Sequence, residues 1–212
     1  MNELHLTSTH LESFERFYRA NLINSITGYK PAMLIGTRSQ AGVDNLALFS
    51  SVFHLGADPA LVGFIQRPVG VSGDTFRNIS STGMYTINHV HEAFVEKAHF
   101  TSARFEAHVS EFAACKLSPQ FLEGFLAPFV KESRVKFGLE LVEVVPIKHN
   151  DTKMVIGKIT HLLVDPSCLE ADGNINLNLV GDVCISGLEN YHRVEKLVAY
   201  PYARVQDLPS FD

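Results

Sequence analysis

The sequence predicts a mostly β domain, a closed or nearly closed β-barrel with helices inserted between its strands. Short apolar runs bounded by turn residues recur along the chain, and the strands do not alternate regularly with helices. No fixed-period repeat and no Pro/Gly/Ser-rich linker divides the 212 residues. We therefore treat residues 1–212 as a single domain that begins with a helix and ends in an extension rich in aromatic and basic residues.

The first third of the chain predicts one helix and three strands. Apolar residues at helical spacing predict a helix over residues 11–23. The apolar run Met33–Ile35 predicts a buried strand, turn chemistry follows at 39–45, and Leu46–Leu55 predicts the second strand of a hairpin. A third strand is predicted at Leu61–Gln66.

The middle of the chain predicts a short helix followed by another strand. Asp74 or Thr75 is typical of an N-cap, and the helix runs towards Ile79. Residues 84–88 predict a strand, and residues 91–130 are expected to be helical or irregular.

The second half predicts two further strands. Apolar residues alternate from Val135 to Leu141, which indicates a half-buried strand, and the phase slips at Val142, which indicates a β-bulge. Met154–Val164 predicts the next strand, and residues 172–174 predict a turn.

Composition excludes several classes of function. The net charge of −5 argues against a dedicated nucleic-acid-binding protein, whose affinity rests on basic residues. Three widely spaced cysteines without a C-x-x-C pair suit a reducing compartment. The first nine residues lack a signal pattern, and no apolar run approaches about 20 residues. We expect a cytoplasmic protein that does not bind membranes.

The common catalytic and cofactor motifs are missing. The chain has no G-x-G-x-x-G, no phosphate-binding P-loop and no G-x-S-x-G elbow. His91-Glu92 begins like a zinc-protease helix, but Val95 stands where the second histidine belongs. His89 and His91 form an H-x-H pair without a third ligand at suitable spacing, so no metal site is predicted.

Polar residues at strand ends carry the functional signal. They are the segment 37–39, the segment 45–51, Arg67, and the helix start at 74–78. Hydroxyls and free backbone N–H groups at a helix start can bind an anion, and a nearby arginine adds bidentate phosphate recognition. Each residue also has an ordinary structural interpretation, Thr75 as a cap and Arg67 as a solvated charge.

In their order along the chain these segments resemble the flavin reductase-like, FMN-binding split-barrel family. The resemblance covers nearly the whole chain and rests on the segments Asn45–Val52, Asp58–Phe64, Asp74–Ile79, Gly83–Asn88, Met154–Ile159, Ile185–His192 and Tyr202–Arg204. It implies a Greek-key split barrel that works as a homodimer. FMN is then expected at the barrel surface near the dimer interface, with NADH or NADPH as the hydride donor.

The resemblance also implies roles for individual residues. Along the flavin edge it places Thr37, Arg38 and Ser39. Along the isoalloxazine ring and the ribityl chain it places Asn45, Ala47, Ser50 and Ser51. For the phosphate it implies Arg67 and Thr75, with Asn78 nearby. The C-terminal extension is expected to face the dimer interface, so that Tyr191 and His192 approach the site from the partner subunit.

Two positions depart from the family pattern. Many relatives have a basic residue or a histidine before the phosphate-binding threonine, but this chain has Asp74, preceded by the segment 71–73. Many reductases have a Gly-Asp-His turn whose histidine meets the nicotinamide, and here the segment 149–152 reads His-Asn-Asp-Thr. His149 is the nicotinamide-side candidate.

The expected function is therefore an FMN-binding, NAD(P)H-dependent flavin reductase in which flavin N5 accepts the hydride and no side chain acts as an acid or base. Reduced flavin would serve a partner monooxygenase or another acceptor. Two alternatives stay open. One is an FMN-binding split barrel without reductase activity, a flavin carrier or an oxidase-like enzyme. The other is a barrel that binds a different small ligand.

Overall fold

The computed structural model describes residues 3–68 and 73–211. Val71 and Ser72, which belong to the departure noted before Asp74, lie outside the described residues. The strands are β1 (Lys30–Pro31), β2 (Met33–Arg38), β3 (Asp44–Phe49), β4 (Val52–Ala57), β5 (Ala60–Gln66), β6 (Met84–His89), β7 (Pro119–Leu122), β8 (Phe125–Val130), β9 (Val135–Ile147), β10 (Thr152–Val164), β11 (Val183–Ser186) and β12 (Asn190–Arg193). The helices are α1 (Ser8–Ser13), α2 (Arg16–Ser25), α3 (Asp74–Thr82), α4 (Val95–Phe100), α5 (Glu111–Ala114) and α6 (Leu177–Val180).

Seven antiparallel strands form the main sheet in the order β3-β2-β6-β9-β10-β5-β4. Its two edge strands, β3 and β4, are consecutive in the chain and are joined only through Ser50 and Ser51. Because two residues span only a few ångströms, the sheet must curl until its edges approach each other. The mostly β class with inserted helices is thus confirmed.

Smaller sheets flank the barrel. Strands β1, β11 and β12 form a three-stranded sheet in which Lys30 pairs with Ile185 and Pro31 with Cys184. Strands β7 and β8 form a hairpin. No helix within the described residues is long and apolar enough to cross a membrane.

The core has two main parts, one on each face of β2. Ile35 packs inside the barrel with Phe64 and Tyr85, whereas Leu34 packs outside with Val90 and Phe94. Side chains alternate between the faces of a strand, so a strand covered on both sides needs a continuous apolar run. This explains why Met33–Ile35 reads as a buried strand.

Helix and strand boundaries differ from the expectation in three places. The helix predicted over 11–23 is two helices, because the Glu15 carboxylate accepts hydrogen bonds from the backbone N–H groups of Phe17 and Tyr18 and starts a new helix there. The single strand predicted at 46–55 is divided into β3 and β4. The hairpin of β7 and β8 lies within 91–130, where the sequence predicts helical or irregular structure and no strands.

The predicted β-bulge is confirmed. Ile156 pairs with Glu143 and Gly157 with Leu141, so Val142 is the extra residue of the bulge. The short helix is present as α3, but its N-cap is Gly73 and not Asp74 or Thr75, which are its first two residues, and no side chain among the described residues caps it. Helix α3 continues beyond Ile79 to Thr82 and ends before Gly83, whose φ of 72° places it in the left-handed region that favours glycine.

Candidate functional site

A cavity of about 910 Å³ opens where β3 passes into β4. Ser50, Ser51 and Arg67, three of the predicted site residues, line it. The Ser51 hydroxyl donates to the carbonyl of Ile65 at 3.0 Å and accepts from the N–H of Ile65 at 3.2 Å. These two bonds hold the link between the edge strands against β5 and so shape the cavity. Other lining residues are Asn24, Tyr29, Lys30, Leu48, Phe49, Gln66, His99, Asn150, Thr152, Ile185 and Glu189.

Two cationic side chains lie at this cavity. Arg67 Nη2 donates to Asn24 Oδ1 at 3.2 Å, and Lys30 Nζ donates to the carbonyls of Asn24 and Gly187 at 3.0 and 2.7 Å. Burial lowers the pKa of Lys30, and the nearby Arg67 charge lowers it further. An ammonium group has three donors, and two acceptors for Lys30 lie among the described residues, so one N–H is left for a ligand. Two like charges at one wall favour an anion between them.

Gln66 adds an unpaired acceptor to the same cavity. Its Nε2 donates to the Arg67 carbonyl at 3.1 Å, which sets the orientation of the amide. Its Oε1 is buried and has no hydrogen-bond partner within residues 3–68 and 73–211. A buried acceptor without a partner costs about 1–3 kcal/mol, so a ligand with an N–H or O–H donor is favoured here.

Four predicted residues form a buried network instead of lining the cavity. Asn45 Nδ2 donates to Thr37 Oγ1 at 3.1 Å and to Thr75 Oγ1 at 3.0 Å. Asn78 Nδ2 donates to Thr37 Oγ1 at 3.1 Å. The network ties helix α3 to strands β2 and β3 and therefore fixes the start of that helix relative to the barrel.

Of the remaining predicted residues, Arg38 and Ser39 lie at the β2–β3 turn, whereas Ala47 lies inside strand β3. Ser39 Oγ accepts from the N–H of Val43 at 3.0 Å. Arg38 forms an ion pair with Asp44 at 3.5 Å, and its guanidinium lies 5.0 Å from the ring centre of Phe121. Ala47 pairs with Ile35 in the ladder of β2 and β3. None of Arg38, Ser39 and Ala47 lines the cavity.

The C-terminal residues reach the cavity wall within one chain. The Tyr191 hydroxyl is 3.0 Å from Nδ1 of His99, which lines the cavity. Burial, with a smaller contribution from Glu189, raises the pKa of Tyr191 to about 12, so this hydroxyl keeps its proton at neutral pH. His192 Nε2 is 2.8 Å from Ser186 Oγ, and its ring packs edge-on against Tyr29.

His149 lies exposed in the turn between β9 and β10. Its neighbours Asn150 and Thr152 line the cavity, where Thr152 Oγ1 donates to Asn150 Oδ1 at 2.8 Å. This turn therefore forms part of the rim, and the position of His149 beside it is compatible with the role implied by the resemblance.

Sequence reasoning missed Lys30, Gln66 and His99. Gln66 directly precedes Arg67 at the end of a predicted strand, a signal that could have found it. His99 had no local signal, because its partner Tyr191 is 92 positions away in the sequence. Lys30 had no local signal either, because it donates to the carbonyl of Gly187, which is 157 positions away.

The H-x-H pair is engaged in protein contacts. His89 Nδ1 bonds Asp182 Oδ2, and His91 Nδ1 accepts from the N–H of Ala93 at 3.0 Å. Within the part of the chain that the structure describes, no group of three His, Cys, Asp or Glu side chains could hold a metal ion.

The fold and the site place the chain in the class of split-barrel domains. The features that do so are a strongly curled antiparallel sheet, a helix tied to its first hairpin and a cavity at the split between the two edges of the sheet. Residues 29–178 match the model of the flavin reductase-like domain. The chain belongs to this family.

Solved structures agree with this family. The chain is 46% identical to a split-barrel protein of Shewanella frigidimarina NCIMB 400 that is assigned as a flavin reductase, with a TM-score of 0.92 over 95% of this chain and 100% of that one. It is 25% identical to the flavoredoxin of Desulfovibrio vulgaris (Miyazaki F), with a TM-score of 0.73 over 83% and 92% of the two chains. Component B of nitrilotriacetate monooxygenase from Bacillus cereus, 21% identical, shares the fold, with a TM-score of 0.83 over 94% and 100%.

Proposed function

We propose that the cavity between β3 and β4 binds FMN and that the protein is an NAD(P)H-dependent flavin reductase. The observation that carries the proposal is the conjunction, at one cavity, of two cations, an unpaired amide oxygen and the two serine residues of the strand link. Membership of the flavin reductase-like family supports the flavin.

The residues present fit FMN. The molecule has a phosphate, a ribityl chain of hydroxyls and an aromatic ring with a polar edge, and the cavity offers a matching group for each. Arg67 and Lys30 suit the phosphate, because a guanidinium and an ammonium both donate charge-assisted hydrogen bonds. The unpaired Oε1 of Gln66 suits a hydroxyl or the ring N–H. Leu48 and Phe49 supply apolar surface for the ring. The volume of about 910 Å³ lies within the range typical of small-molecule sites.

The buried network of Asn45 and Thr75 acts in this proposal by positioning. Asn45 donates to Thr75 Oγ1, and Thr75 is buried and does not line the cavity. Thr75 therefore fixes the start of helix α3 relative to the barrel, while the phosphate is assigned to Arg67 and Lys30.

Bound FMN supplies hydride acceptance from a reduced nicotinamide and electron delivery to an acceptor. The chain's residues contribute binding and orientation. The His99–Tyr191 pair holds a neutral hydroxyl and an imidazole at the wall, and the rim at Asn150 and Thr152 borders the opening where a nicotinamide would enter, with His149 exposed beside it. No acid–base residue is needed for the hydride step.

The partners follow from the same proposal. Reduced flavin would pass to a partner monooxygenase or to another acceptor, and the fold shared with a monooxygenase component B is compatible with that role. We also propose that the protein is a homodimer and that it is cytoplasmic. The homodimer is supported by large apolar side chains that are exposed in the C-terminal extension, namely Leu197, Tyr200, Tyr202, Val205, Leu208 and Phe211. Light scattering tests it, and a monomeric mass would contradict it.

Absorbance spectroscopy and anaerobic mixing test the proposal. The purified protein should show flavin bands, or take up added FMN, and these bands should bleach when NADH or NADPH is added in a stopped-flow instrument. Dithionite provides the control, because it reduces any bound flavin. Bleaching by dithionite but by neither nicotinamide would favour the carrier or oxidase-like alternative. Failure to bind FMN would favour a barrel for another ligand.

A further inference from the structure

A second cavity, of about 490 Å³, lies on the other side of the wall formed by β1 and β11. Pro31 lines both cavities, but Lys30 and Ile185 line the first, whereas Met33 and Cys184 line the second. The two-strand wall thus separates two sites, and the role proposed for the first leaves the second unexplained.

A histidine–aspartate pair lies in the wall of this second cavity. The backbone of Asp182 forms an antiparallel bridge with His91. Residues two apart lie on the same face of a strand, so the side chain of His89, two residues before His91, lies on the face that also carries the Asp182 side chain. His89 Nδ1 bonds Asp182 Oδ2, and the two side chains are only 15% and 12% exposed. Ser133 Oγ donates to the His89 carbonyl at 2.7 Å and steadies the same strand end.

The pair leaves one imidazole nitrogen available. A carboxylate on Nδ1 accepts the Nδ1 proton, so the neutral ring presents Nε2 as an acceptor. Across residues 3–68 and 73–211, no hydrogen bond occupies His89 Nε2, and Asp182 Oδ1 has no donor of its own. Asp182 Oδ2 therefore orients His89, and the buried Oδ1 is a second acceptor that a donor group of a ligand could use.

The rest of the lining selects the ligand. Met33, Ile175, Leu177 and Val194 make much of the surface apolar. Three carboxylate side chains, those of Glu170, Asp182 and Glu195, line the cavity together with one ammonium group, that of Lys196. An anionic ligand is disfavoured by this balance, whereas a neutral molecule with one hydroxyl can bury its body and donate to Nε2.

We propose that this cavity is a second binding site, for a neutral, mainly apolar molecule that carries a hydroxyl group of the phenol or cyclic alcohol class. The ligand hydroxyl donates to His89 Nε2, and Asp182 holds the ring in the accepting tautomer. The site is separate from the flavin cavity and does not depend on flavin binding.

Methionine methyl labelling locates the ligand. The chain has four methionines, of which Met33 lines the second cavity, so ¹³C-methyl spectra contain few signals and a Met33→Leu variant assigns the relevant one. Phenol titrated into the protein, with and without saturating FMN, should shift the Met33 methyl saturably and leave Met84 and Met154 in place. Absence of a Met33 shift would overturn the proposal.

Two comparisons test the role of His89. Toluene has the shape of phenol without the donor, so it should bind about tenfold more weakly, the factor expected for one hydrogen bond of about 1.4 kcal/mol. His89→Leu should remove this difference, whereas His108→Gln, a change at an exposed histidine, should preserve it. Thermal unfolding checks that the variants are folded. If His89→Leu does not fold, the difference in affinity between phenol and toluene for the unmodified protein still tests the hydrogen bond.

Three results would count against the site. Equal affinity for phenol and toluene would remove the role of the histidine. Competition between phenol and FMN without a Met33 shift would place phenol in the first cavity. A Met33 signal that moves on protein dilution and not with phenol would identify this face as a contact between copies.

Discussion

The side-chain amide of Asn45 donates a 3.0 Å hydrogen bond to the hydroxyl oxygen of Thr75, joining strand β3 to the first turn of helix α3. Both residues are buried, and the second amide proton of Asn45 is used on Thr37. The helix start and the hairpin therefore move as one unit, although the two residues are 30 positions apart.

Thr75→Val should destabilise the protein by about 1–3 kcal/mol, because valine keeps the shape of threonine but leaves one buried N–H of Asn45 without an acceptor. Urea unfolding measures the change. Thr75→Ser keeps the acceptor and is the matched control, expected to lose clearly less stability. Equal stability of the valine variant and the parent protein would show that the Asn45–Thr75 bond contributes nothing.

Arg67→Ala should weaken FMN binding about 10–100-fold and leave riboflavin binding nearly unchanged, because the arginine is proposed to contact only the phosphate. Fluorescence titration of both flavins with the apoprotein measures this selectivity. Arg104→Ala changes an exposed arginine outside the cavity and serves as the control. The phosphate assignment fails if both flavins lose affinity equally.

Glu111→Gln should stabilise the protein at neutral pH and have little effect near pH 4.5. Glu111 Oε2 accepts from the N–H of Leu46 at 2.9 Å, a bond that glutamine can retain. Burial, with a smaller contribution from Asp74, raises the pKa of Glu111 above its ordinary value of 4.5, against the lowering effect of the backbone hydrogen bonds.

The sign follows from proton binding. Between the unfolded and the raised folded pKa, the folded state holds more protons, so the contribution of Glu111 to stability falls as pH rises through that interval. Glutamine has no such dependence. Urea unfolding of both proteins across pH 4.5–8 measures the difference, with the exposed Glu123→Gln as control. A difference that does not change with pH would contradict the raised pKa.

Gly36→Ala should destabilise the fold by about 3 kcal/mol, the upper end for overpacking. A Cβ at this position would lie 2.2 Å from the carbonyl oxygen of Pro128, which already accepts a 2.7 Å bond from Thr86 Oγ1. Gly56→Ala is the matched control in another strand, since its nearest contact would be an ordinary 3.4 Å. Thermal unfolding compares the two variants. Similar melting temperatures would mean that β2 and β8 can move apart enough to admit the added methyl group.

Local chemistry explains which elements were predictable. The bulge at Val142 appears as a slip in the apolar alternation, and the end of helix α3 at Gly83 follows from a glycine in the left-handed region. The start of a second helix at Glu15 was missed, because glutamate is an uncommon N-cap. The division at Ser50-Ser51 was missed because serine is also compatible with the interior of a strand. The chain is held at this point by the two hydrogen bonds of Ser51 with Ile65 of β5, a contact that no local pattern records.

The cavity residues were predictable only in part. Arg67 directly follows a predicted strand, whereas Ser50 and Ser51 lie inside the strand predicted at 46–55 and received their site role from the family resemblance. Lys30 and His99 depend on contacts with residues more than 90 positions away, which no local pattern records.

The sequence by itself determined the mostly β class and the order of most strands, because apolar periodicity and turn residues are local properties. It also indicated the family, through the resemblance of its ordered segments to that family. Only the tertiary structure decided which polar residues share a space. It placed Asn45, Thr75 and Asn78 in a buried network, brought Lys30 and Gln66 to the cavity beside Arg67, and set His89 against Asp182 in a second cavity. The physical reason is that closing the curled sheet and adding the β1–β11–β12 sheet create contacts between distant segments, and hydrogen bonding depends on distance in space rather than along the chain.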